Sequence, residues 1–596
     1  MARIPLPVLQ GPSGRGDAAF AAGSEVTATT LIPDLIRAHP GARVVLDRYG
    51  LRGCGGRLGP YETLGFFARA HGVEQGRLLR ELAEAIDRGE AARHEVADLT
   101  DSIYRRYFLA GIAMVLTAGA TWGAWLLWRI GLGGSFLVNP LQSVNAHGMV
   151  QISGWVGLFI MGFAYQAFPR IWHTSLAAPR LAVAVFAAMV VGIVAQAVGM
   201  VAAVVPLAMV GAGLQVVAVA AFVAQILATF RRSGARFEPY AAFVVAALGW
   251  FLASTLMSGW HTWTTMTAPG EAALVWYVAT YQAPLRDLQV HGLALFMILG
   301  VSIRMVPALF GAPKVDDRRA WWALGLLTAA VLGEVGLFLA YRWTGNHALA
   351  AGLMSPWLML AAGVALVVLP WRPWRPFPEP DRVGKFVRAA YIWLAVSIAM
   401  LLLMPAHAAA SGLPFSHAYY GAIRHAVTVG FVSLMIMGFA AKVVPTLNGV
   451  DPRKISGLWG PFLLVNAGCF LRVASQTLTD WSAAPYAVIG LSGTMEVAGL
   501  AWWGAGLASL MIRGAREAGD PGPGSAPERI VGGHHPADVL DWFPETAAVF
   551  DRFGMDGLRR PALRRTLGRR TTLDQAARLR GIAPAELVLA LNEARR

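Results

Sequence analysis

Three stretches of the sequence share one pattern, Gly162-Phe-Ala-Tyr-Gln-Ala-Phe-Pro169, Gly300-Val-Ser-Ile-Arg-Met-Val-Pro307 and Gly438-Phe-Ala-Ala-Lys-Val-Val-Pro445. Successive copies are 138 residues apart both times, which is room for four membrane-crossing helices. An internal repeat indicates a repeated architecture. The pattern therefore predicts three four-helix units around a pseudo-threefold axis, with the motif-bearing helices lining the interior. Packing and termination of helices by Gly and Pro is an alternative that the motif alone leaves open.

The composition indicates that lipid is the main solvent of the chain. Of its 596 residues, 56% are hydrophobic and only 14% are charged. Apolar runs of about 18 to 26 residues are long enough to cross a bilayer. They begin near positions 107, 146, 181, 206, 240, 287, 320, 347, 387, 421, 457 and 484. We therefore predict an all-α integral membrane protein with about twelve transmembrane helices and a small helical soluble domain at each terminus.

The basic residues predict the orientation in the membrane. They gather after the even-numbered helices, for example at Arg231, Arg232 and Arg236. Because positive charge favours the cytoplasmic side, both termini are predicted to be cytoplasmic, in the inner membrane of a bacterium. Topology also accounts for the net charge of +15, so nucleic acid is not a predicted partner. The lipid bilayer is the partner that the sequence indicates.

The cysteine count limits the cofactor chemistry. The chain contains only Cys54 and Cys469, so it has no disulfide framework and no Cys-x-x-Cys-His haem-attachment motif. Any haem is therefore expected to be a non-covalent, b-type haem.

Histidines lie near the predicted outer ends of helices 2, 6 and 10, at His147, His291 and His425, and helix 5 adds His261. Ionisable groups in the hydrocarbon region are costly and usually functional, and imidazole is a common metal ligand. We interpret the four as a candidate metal or haem site, with hydrogen bonding to a neighbouring helix as the alternative. The first three precede their motif glycines by 15, 9 and 13 residues. His291 is therefore expected about 9 Å deeper than His147, whereas His147 and His425 differ by about 3 Å and suit one haem.

Four charged residues complete the candidate site. Arg472 in helix 11 and Arg424 beside His425 are candidate partners for haem propionates, although an arginine near the interface can also extend its charge toward water. Glu334 in helix 7 and Glu496 in helix 12 are candidate proton-handling carboxylates. Polar contacts between helices are the alternative role for both.

The threefold set of four helices with histidines in helices 2, 6 and 10 resembles the main subunit of haem-copper oxidases and nitric oxide reductases. Those enzymes also use a His-x-His in helix 10 and a His pair in helix 7, and this chain has neither. The resemblance therefore does not extend to their binuclear reducing centre.

A closer resemblance, over roughly residues 105 to 515, is to the NnrS family of haem- and copper-containing membrane proteins associated with resistance to nitric oxide. It rests on Asn145-Ala-His-Gly148, Val290-His-Gly292 and Arg424-His-Ala-Val-Thr-Val-Gly-Phe431, with Gly154-Trp-Val-Gly-Leu-Phe-Ile-Met-Gly162 in helix 2. It implies that His147, His291 and His425 are haem or metal ligands. It also implies a haem cofactor, and it leaves open whether copper is bound as well.

Three functions follow as hypotheses. The first is an NnrS-like redox protein in the response to nitric oxide or nitrosative stress, supplied by an electron donor at the membrane. The second is a haem-copper-type terminal reductase of nitric oxide or oxygen, so whether the protein is an oxidoreductase stays open. The third is a non-enzymatic transporter or sensor built from repeats.

The terminal domains repeat each other in sequence. Asp47-Arg-Tyr-Gly50 corresponds to Asp551-Arg-Phe-Gly554, and Thr63-Leu64 corresponds to Thr572-Leu573. The predicted divisions are residues 1–104 (core about 28–86), the membrane domain 105–515, a Gly/Pro-rich linker 516–533 and a second domain 534–596. Both terminal domains resemble the small domain associated with hybrid iron-sulfur clusters and the N-terminal part of the repair protein ScdA. Cys54, on the turn of the first copy, is a candidate redox thiol or an inert cysteine, and the second copy has Leu558 instead. We expect homo-oligomerisation or docking through these domains.

Overall fold

The computed structural model describes residues 26–52, 54–88, 99–452, 455–518, 527, 529–560, 563–564 and 566–595. Within these residues the protein is all-α, with one isolated antiparallel bridge between Leu31 and Thr63. The chain forms two compact units, Met1–Met511 and Ile512–Arg596. The first contains a small helical domain and the bundle of long apolar helices, and the second contains the other small domain. The predicted fold class is therefore confirmed.

Twelve long helices follow one another between Leu99 and Ala518, and we number them α1 to α12. Their bounds are Leu99–Gly133, Leu141–Ile171, Pro179–Val201, Val205–Ser233, Pro239–Met266, Glu271–Phe310, Asp317–Thr344, His347–Trp371, Gly384–Leu402, His417–Leu447, Trp459–Leu478 and Tyr486–Ala518.

Eleven helices in the described residues are long and apolar enough to cross a membrane. The predicted eleventh span, α11, is a helix of 20 residues, about 30 Å at the rise of an α-helix. It falls outside the eleven because Asn466, Arg472 and Gln476 dilute its apolar character. The prediction of about twelve spans thus agrees with eleven helices by length and composition, and with α11 by length alone.

Helices α2, α6 and α10 share a distortion at one position of the repeat. Each contains a π-helical stretch, at Val150–Gly157, Leu288–Ala294 and Ala426–Ser433. The three stretches begin 138 residues apart, which is also the spacing of the motifs. Wider π-helical turns of this kind occur often at functional sites. Within each helix the stretch lies beside or around the candidate histidine.

The same three helices form the centre of the bundle. In their most apolar windows 78%, 72% and 67% of the residues are buried, against at most 50% in the other candidate spans. Each helix contacts the other two, through Trp155 Nε1 donating to Ser433 Oγ (3.0 Å), Gln282 Nε2 donating to Asn145 Oδ1 (3.3 Å) and Tyr420 OH donating to Asp287 Oδ1 (3.4 Å). The motif-bearing helices therefore line the interior, as the repeat predicts. We call the end with Pro169, Pro307 and Pro445 the motif end, and the opposite end the histidine end.

The first domain consists of helices Ile32–Ala38, Ala42–Leu46, Leu64–His71 and Gln75–Asp87. Leu35, Leu46, Phe67 and Leu82 are fully buried in its core. A Thr63 side chain that accepts from the Phe66 amide begins the third helix, and Gly72, in the left-handed conformation with φ +69°, ends it. Residues 89–98, which connect this domain to α1, and Gly53 beside Cys54 lie outside the described residues.

The second domain has the same construction. Its helices are Pro536–Trp542, Ala547–Arg552, Leu573–Leu579 and Pro584–Glu593, with a separate core that includes Val539, Phe550 and Leu587. In the first domain the amides of Leu64 and Gly65 donate to the carbonyls of Thr30 and Ala28. In the second, those of Leu573 and Asp574 donate to His534 and Gly532. The predicted repeat is therefore present in backbone hydrogen bonding. Most of the predicted linker, from 519 onward, lies outside the described residues.

Candidate cofactor site

His147 of α2 is fixed by a break in α1. A π-helical stretch ends at Gly119, whose dihedral angles (φ −86°, ψ −112°) leave the helical range. This kink frees the Gly119 carbonyl, which lies 3.0 Å from Nδ1 of His147. The imidazole also packs against Gly123, where an added Cβ would lie 2.5 Å from the ring Cε1. Two glycines of α1 thus hold the ring in one orientation.

His425 of α10 has an equivalent tether. Its Nδ1 lies 2.9 Å from the carbonyl of Gly421, one turn earlier in the same helix. A carbonyl oxygen can only accept, so Nδ1 carries the proton in both His147 and His425, and Nε2 keeps its lone pair. Metal-binding histidines usually have this arrangement, with the second nitrogen donating to a carbonyl or carboxylate. The two imidazoles are close enough to interact electrostatically.

A buried arginine lies beside this histidine pair. Arg472 of α11 interacts electrostatically with both His147 and His425, and 4% of its surface is exposed. Its Nε and Nη1 have no hydrogen-bond partner among the described residues. Glu496 of α12 interacts with Arg472, and its buried Oε1 also lacks a partner. A buried guanidinium with unused donors is costly, and an anionic group between the helices would satisfy it.

Arg286 of α6 is a site residue that the sequence interpretation missed. Its Nη2 would lie 2.5 Å from a Cβ added to Gly148, the residue after His147, and its Nη1 donates to Gln289 Oε1 at 2.8 Å. The predicted sixth span began near 287, which left Arg286 in a loop. In the structure α6 begins at Glu271, a full four turns earlier. The signal was the apolar and aromatic stretch of residues 272–279 before Arg286.

His291 belongs to a separate polar cluster. Its Nδ1 lies 2.9 Å from Oε2 of Glu334 in α7, while Oε1 of this buried glutamate has no partner in the described part of the chain. Asp287, the repeat equivalent of His425, lies near the same pair and interacts with both. Arg424, predicted as a propionate partner, contacts this cluster instead. It donates to Tyr420 OH at 2.6 Å and lies 3.9 Å from Asp287.

The histidines do not converge on one ion. Among the described residues no three His, Cys, Asp or Glu side chains are placed to hold a common metal ion. His147 and His425 instead lie near each other and near Arg472, whereas His291 is hydrogen-bonded to Glu334. His261 of α5 is buried, and its Nε2 lacks a partner in the described residues. It lies near Arg286 rather than in either pair.

Two further histidines have contacts of a structural kind. His407 Nε2 lies 2.7 Å from Oδ2 of Asp480, and its ring stacks on Tyr419 at 3.8 Å between centroids. His173 Nε2 lies 3.2 Å from the His71 carbonyl.

The Cys54 thiol is buried where the first domain meets the motif end. Its side chain is 8% exposed and faces Arg170, Glu62 and Asp101. Burial raises the pKa of this thiol, and the neighbouring Arg170 only partly opposes that effect. The thiol is therefore protonated at neutral pH in this conformation, which disfavours reaction.

Comparison with known proteins covers most of the chain. The family profile described as NnrS protein matches residues 99–514, and the profile described as Domain of unknown function (DUF1858) matches residues 537–588. No curated protein matches the chain. The NnrS profile spans α1 to α12 and includes His147, His291 and His425. This multi-pass membrane protein belongs to the NnrS family.

Proposed function

We propose that this protein is a haem-binding redox protein in the bacterial inner membrane that acts in the response to nitric oxide. Membership of the NnrS family supports a membrane protein of that response. The observation that carries the haem assignment is the pair His147 and His425. These two imidazoles, on neighbouring central helices, each have Nδ1 tethered to a carbonyl and Nε2 available.

The charges around this pair suit a b-type haem. The buried Arg472 and the partly buried Arg286 contribute two positive charges beside the histidines, and Glu496 contributes one carboxyl group. A haem carries two propionates, and the two unused donors of Arg472 suit one of them. His147 and His425 would hold the iron. A bound haem supplies one-electron chemistry, and the surrounding residues orient it and tune its potential.

Copper, if bound, has His291 as its best-placed ligand. Glu334 fixes the ring of this histidine through a hydrogen bond to Nδ1, which leaves Nε2 available. The carboxylate therefore serves as a positioning residue, and its second oxygen can hold a proton near the site. Histidine is a common copper ligand, but the described chain places no second histidine there.

The alternative of a haem-copper-type terminal reductase is less well supported. In the resembling oxidases helix 7 contributes a histidine pair to copper, whereas α7 here contributes Glu334 to His291. A transporter or sensor would not need two imidazoles with fixed tautomers beside a buried arginine whose Nε and Nη1 are unused by the described residues.

The haem assignment is tested by absorbance of the full-length protein in detergent, oxidised and dithionite-reduced, with haem and metal content measured on the same sample. We expect a b-type spectrum that is lost in His147→Ala and in His425→Ala. His347→Ala is the matched control, since this histidine is exposed at the start of α8, and its spectrum should equal that of the wild type. A wild-type spectrum in both site variants would overturn the ligand assignment. Absence of haem from folded wild-type protein, produced in haem-replete cells, would overturn the redox function.

A further inference from the structure

The first domain touches the ends of all three central helices. At the end of α2, Arg170 Nε donates to the carbonyl of Arg52 at 3.0 Å, and His173 lies against the carbonyl of His71. At the end of α6, Arg69 Nε donates to the Ala308 carbonyl at 3.0 Å. One small domain thus spans the motif end across the interior that α2, α6 and α10 surround.

The third helix of the set, α10, has the most direct contacts. The amide of Gly55 donates to the carbonyl of Leu447 at 3.0 Å, and Thr446 Oγ1 donates to Glu62 Oε1 at 3.3 Å. An added Cβ on Gly449 would lie 2.5 Å from the Gly55 carbonyl, so the two backbones approach too closely for side chains. Carbonyls at the ends of α6 and α10, which lack partners within their own helices, are satisfied by this domain.

The repeated motif supplies part of the covered surface. Gln166, Arg304 and Lys442 occupy the same motif position in the three repeats. Lys442 lies over the ring of Phe66 at 5.0 Å, and Arg304 lies beside Gly72, where a Cβ would be 2.5 Å from its Nη2. Gln166 is held through its carbonyl by Arg170, which also contacts the domain. The motif therefore does more than end the helices, because Arg304 and Lys442 at its polar position lie against the docked domain.

The polar contacts that hold the domain are individually weak. The ion pair of Arg69 with Glu379 is 2.7 Å long, but its side chains are 43% and 40% exposed, so it contributes at most about 1 kcal/mol. Arg304 has no hydrogen bond or ion pair with the described residues, and the side chains that interact with it include His71 and His173. Arg304 therefore adds no ion pair to the interface, although its charge lies at the domain surface. Interfaces of this kind within one chain permit relative motion.

We propose that the first domain is a movable lid over the motif end of the bundle. In the closed state it covers Arg304 and Lys442 of the repeated motif and buries Cys54. In the open state it exposes the ends of α2, α6 and α10 to the predicted cytoplasm and makes the thiol reactive. The lid rests on the docking contacts alone, so it stands independently of the haem assignment.

Two thiols, one on each side of the interface, test the lid. Cys54 reports from the domain, and a Thr446→Cys variant reports from the end of α10. The full-length protein in lipid nanodiscs is treated with a membrane-impermeant maleimide, and each modified residue is located by mass spectrometry. We expect slow modification of both thiols in the closed protein. Arg69→Glu removes the bond to Ala308 and places like charge against Glu379, so it should raise both rates at least tenfold.

Arg80→Glu is the matched control, because Arg80 is 71% exposed and pairs with Glu74 of its own domain. Its rates should equal those of the unchanged protein. Hydrogen exchange of helix Gln75–Asp87 reports whether the domain stays folded in Arg69→Glu, as the proposal requires. Equal rates in Arg69→Glu and Arg80→Glu would overturn the movable lid. The movable lid would also be overturned if Cys54 were modified faster while Thr446→Cys was not. Faster modification of Cys54 together with loss of hydrogen-exchange protection in Gln75–Asp87 would overturn it as well.

Discussion

At the scale of single residues, the candidate haem site depends on the carbonyls of Gly119 and Gly421, which tether His147 and His425. The spacing of His147 and His425 from their motifs predicts that the two histidines lie at similar depth and suit one haem. The role of Gly119 and Gly123 could not be predicted, because it arises from a kink in α1 and the resulting contact with α2. The charge and position of Arg472 predict it as a propionate partner. That its Nε and Nη1 lack hydrogen-bond partners among the described residues results from helix packing, which the sequence does not show.

Gly123 provides a test of this tether. In Gly123→Ala the new Cβ would lie 2.5 Å from Cε1 and 3.1 Å from Nε2 of His147, so the ring must move. Overpacking of this kind costs about 1 to 3 kcal/mol. We expect haem affinity to fall about tenfold, measured by haem content and the position of the main absorbance band.

Gly249→Ala is the control for this substitution. Gly249 lies in α5, and no atom lies within 4 Å of an added Cβ. Its haem content should match that of the wild type. If Gly123→Ala also bound haem as the wild type does, His147 would not be held in the way that the structure indicates.

At the scale of elements, the sequence predicted the helices better than their distortions. The equal spacing of the motifs correctly placed α2, α6 and α10 in the interior. The π-helical stretches had no sequence signal, because they depend on how neighbouring helices pack. The start of α6 was missed because the prediction relied on the most apolar run. The helix begins earlier and runs through Tyr281, Gln282 and Arg286, which contact α5 and α2.

The lid should respond to pH through His71. Burial, followed by the nearby His173, Arg170 and Arg304, lowers the pKa of His71 from 6.5 to about 3 in the closed state. Opening removes those three neighbours, so the pKa rises toward its usual value. The open lid then binds the proton more tightly. The contribution of neutral His71 to closure is complete above pH 6.5 and is lost as the pH falls below it.

This dependence can be isolated with His71→Gln, which cannot take up the proton. We expect the rate of Cys54 modification by a pyridyl disulfide, divided by the rate in His71→Gln, to rise about tenfold from pH 7.5 to 5.5. The ratio cancels the intrinsic titration of the thiol. The ratio also cancels the effect of Glu62 titration on closure. Burial raises the pKa of Glu62, and the charge of Lys442 partly opposes that increase. A ratio independent of pH would exclude His71 as the titrating group.

At the scale of the whole molecule, the two terminal domains share one fold but differ in the exposure of equivalent residues. Arg69 and His71 of the first domain contact the motif end, whereas the corresponding Arg578 and Arg580 of the second domain are exposed. The sequence predicted the repeat from short matches such as Thr63-Leu64 and Thr572-Leu573. It could not predict that the first copy contacts the bundle, because this contact depends on the surface at the ends of α2, α6 and α10.

The second domain should fold without the rest of the chain, because it has its own buried core around Phe550, Val539 and Leu587. Domains of about 60 residues reach only about 3 to 5 kcal/mol of stability. Residues 527–596 alone should therefore show a single cooperative urea transition by circular dichroism. Phe550→Ala costs about 3 to 5 kcal/mol, so it should abolish this transition. Leu579→Ala, at a side chain that is 74% exposed, should change stability by less than about 0.5 kcal/mol. A gradual transition in the unchanged fragment would mean that the domain needs a surface to fold against, as a docking module that folds on its partner does.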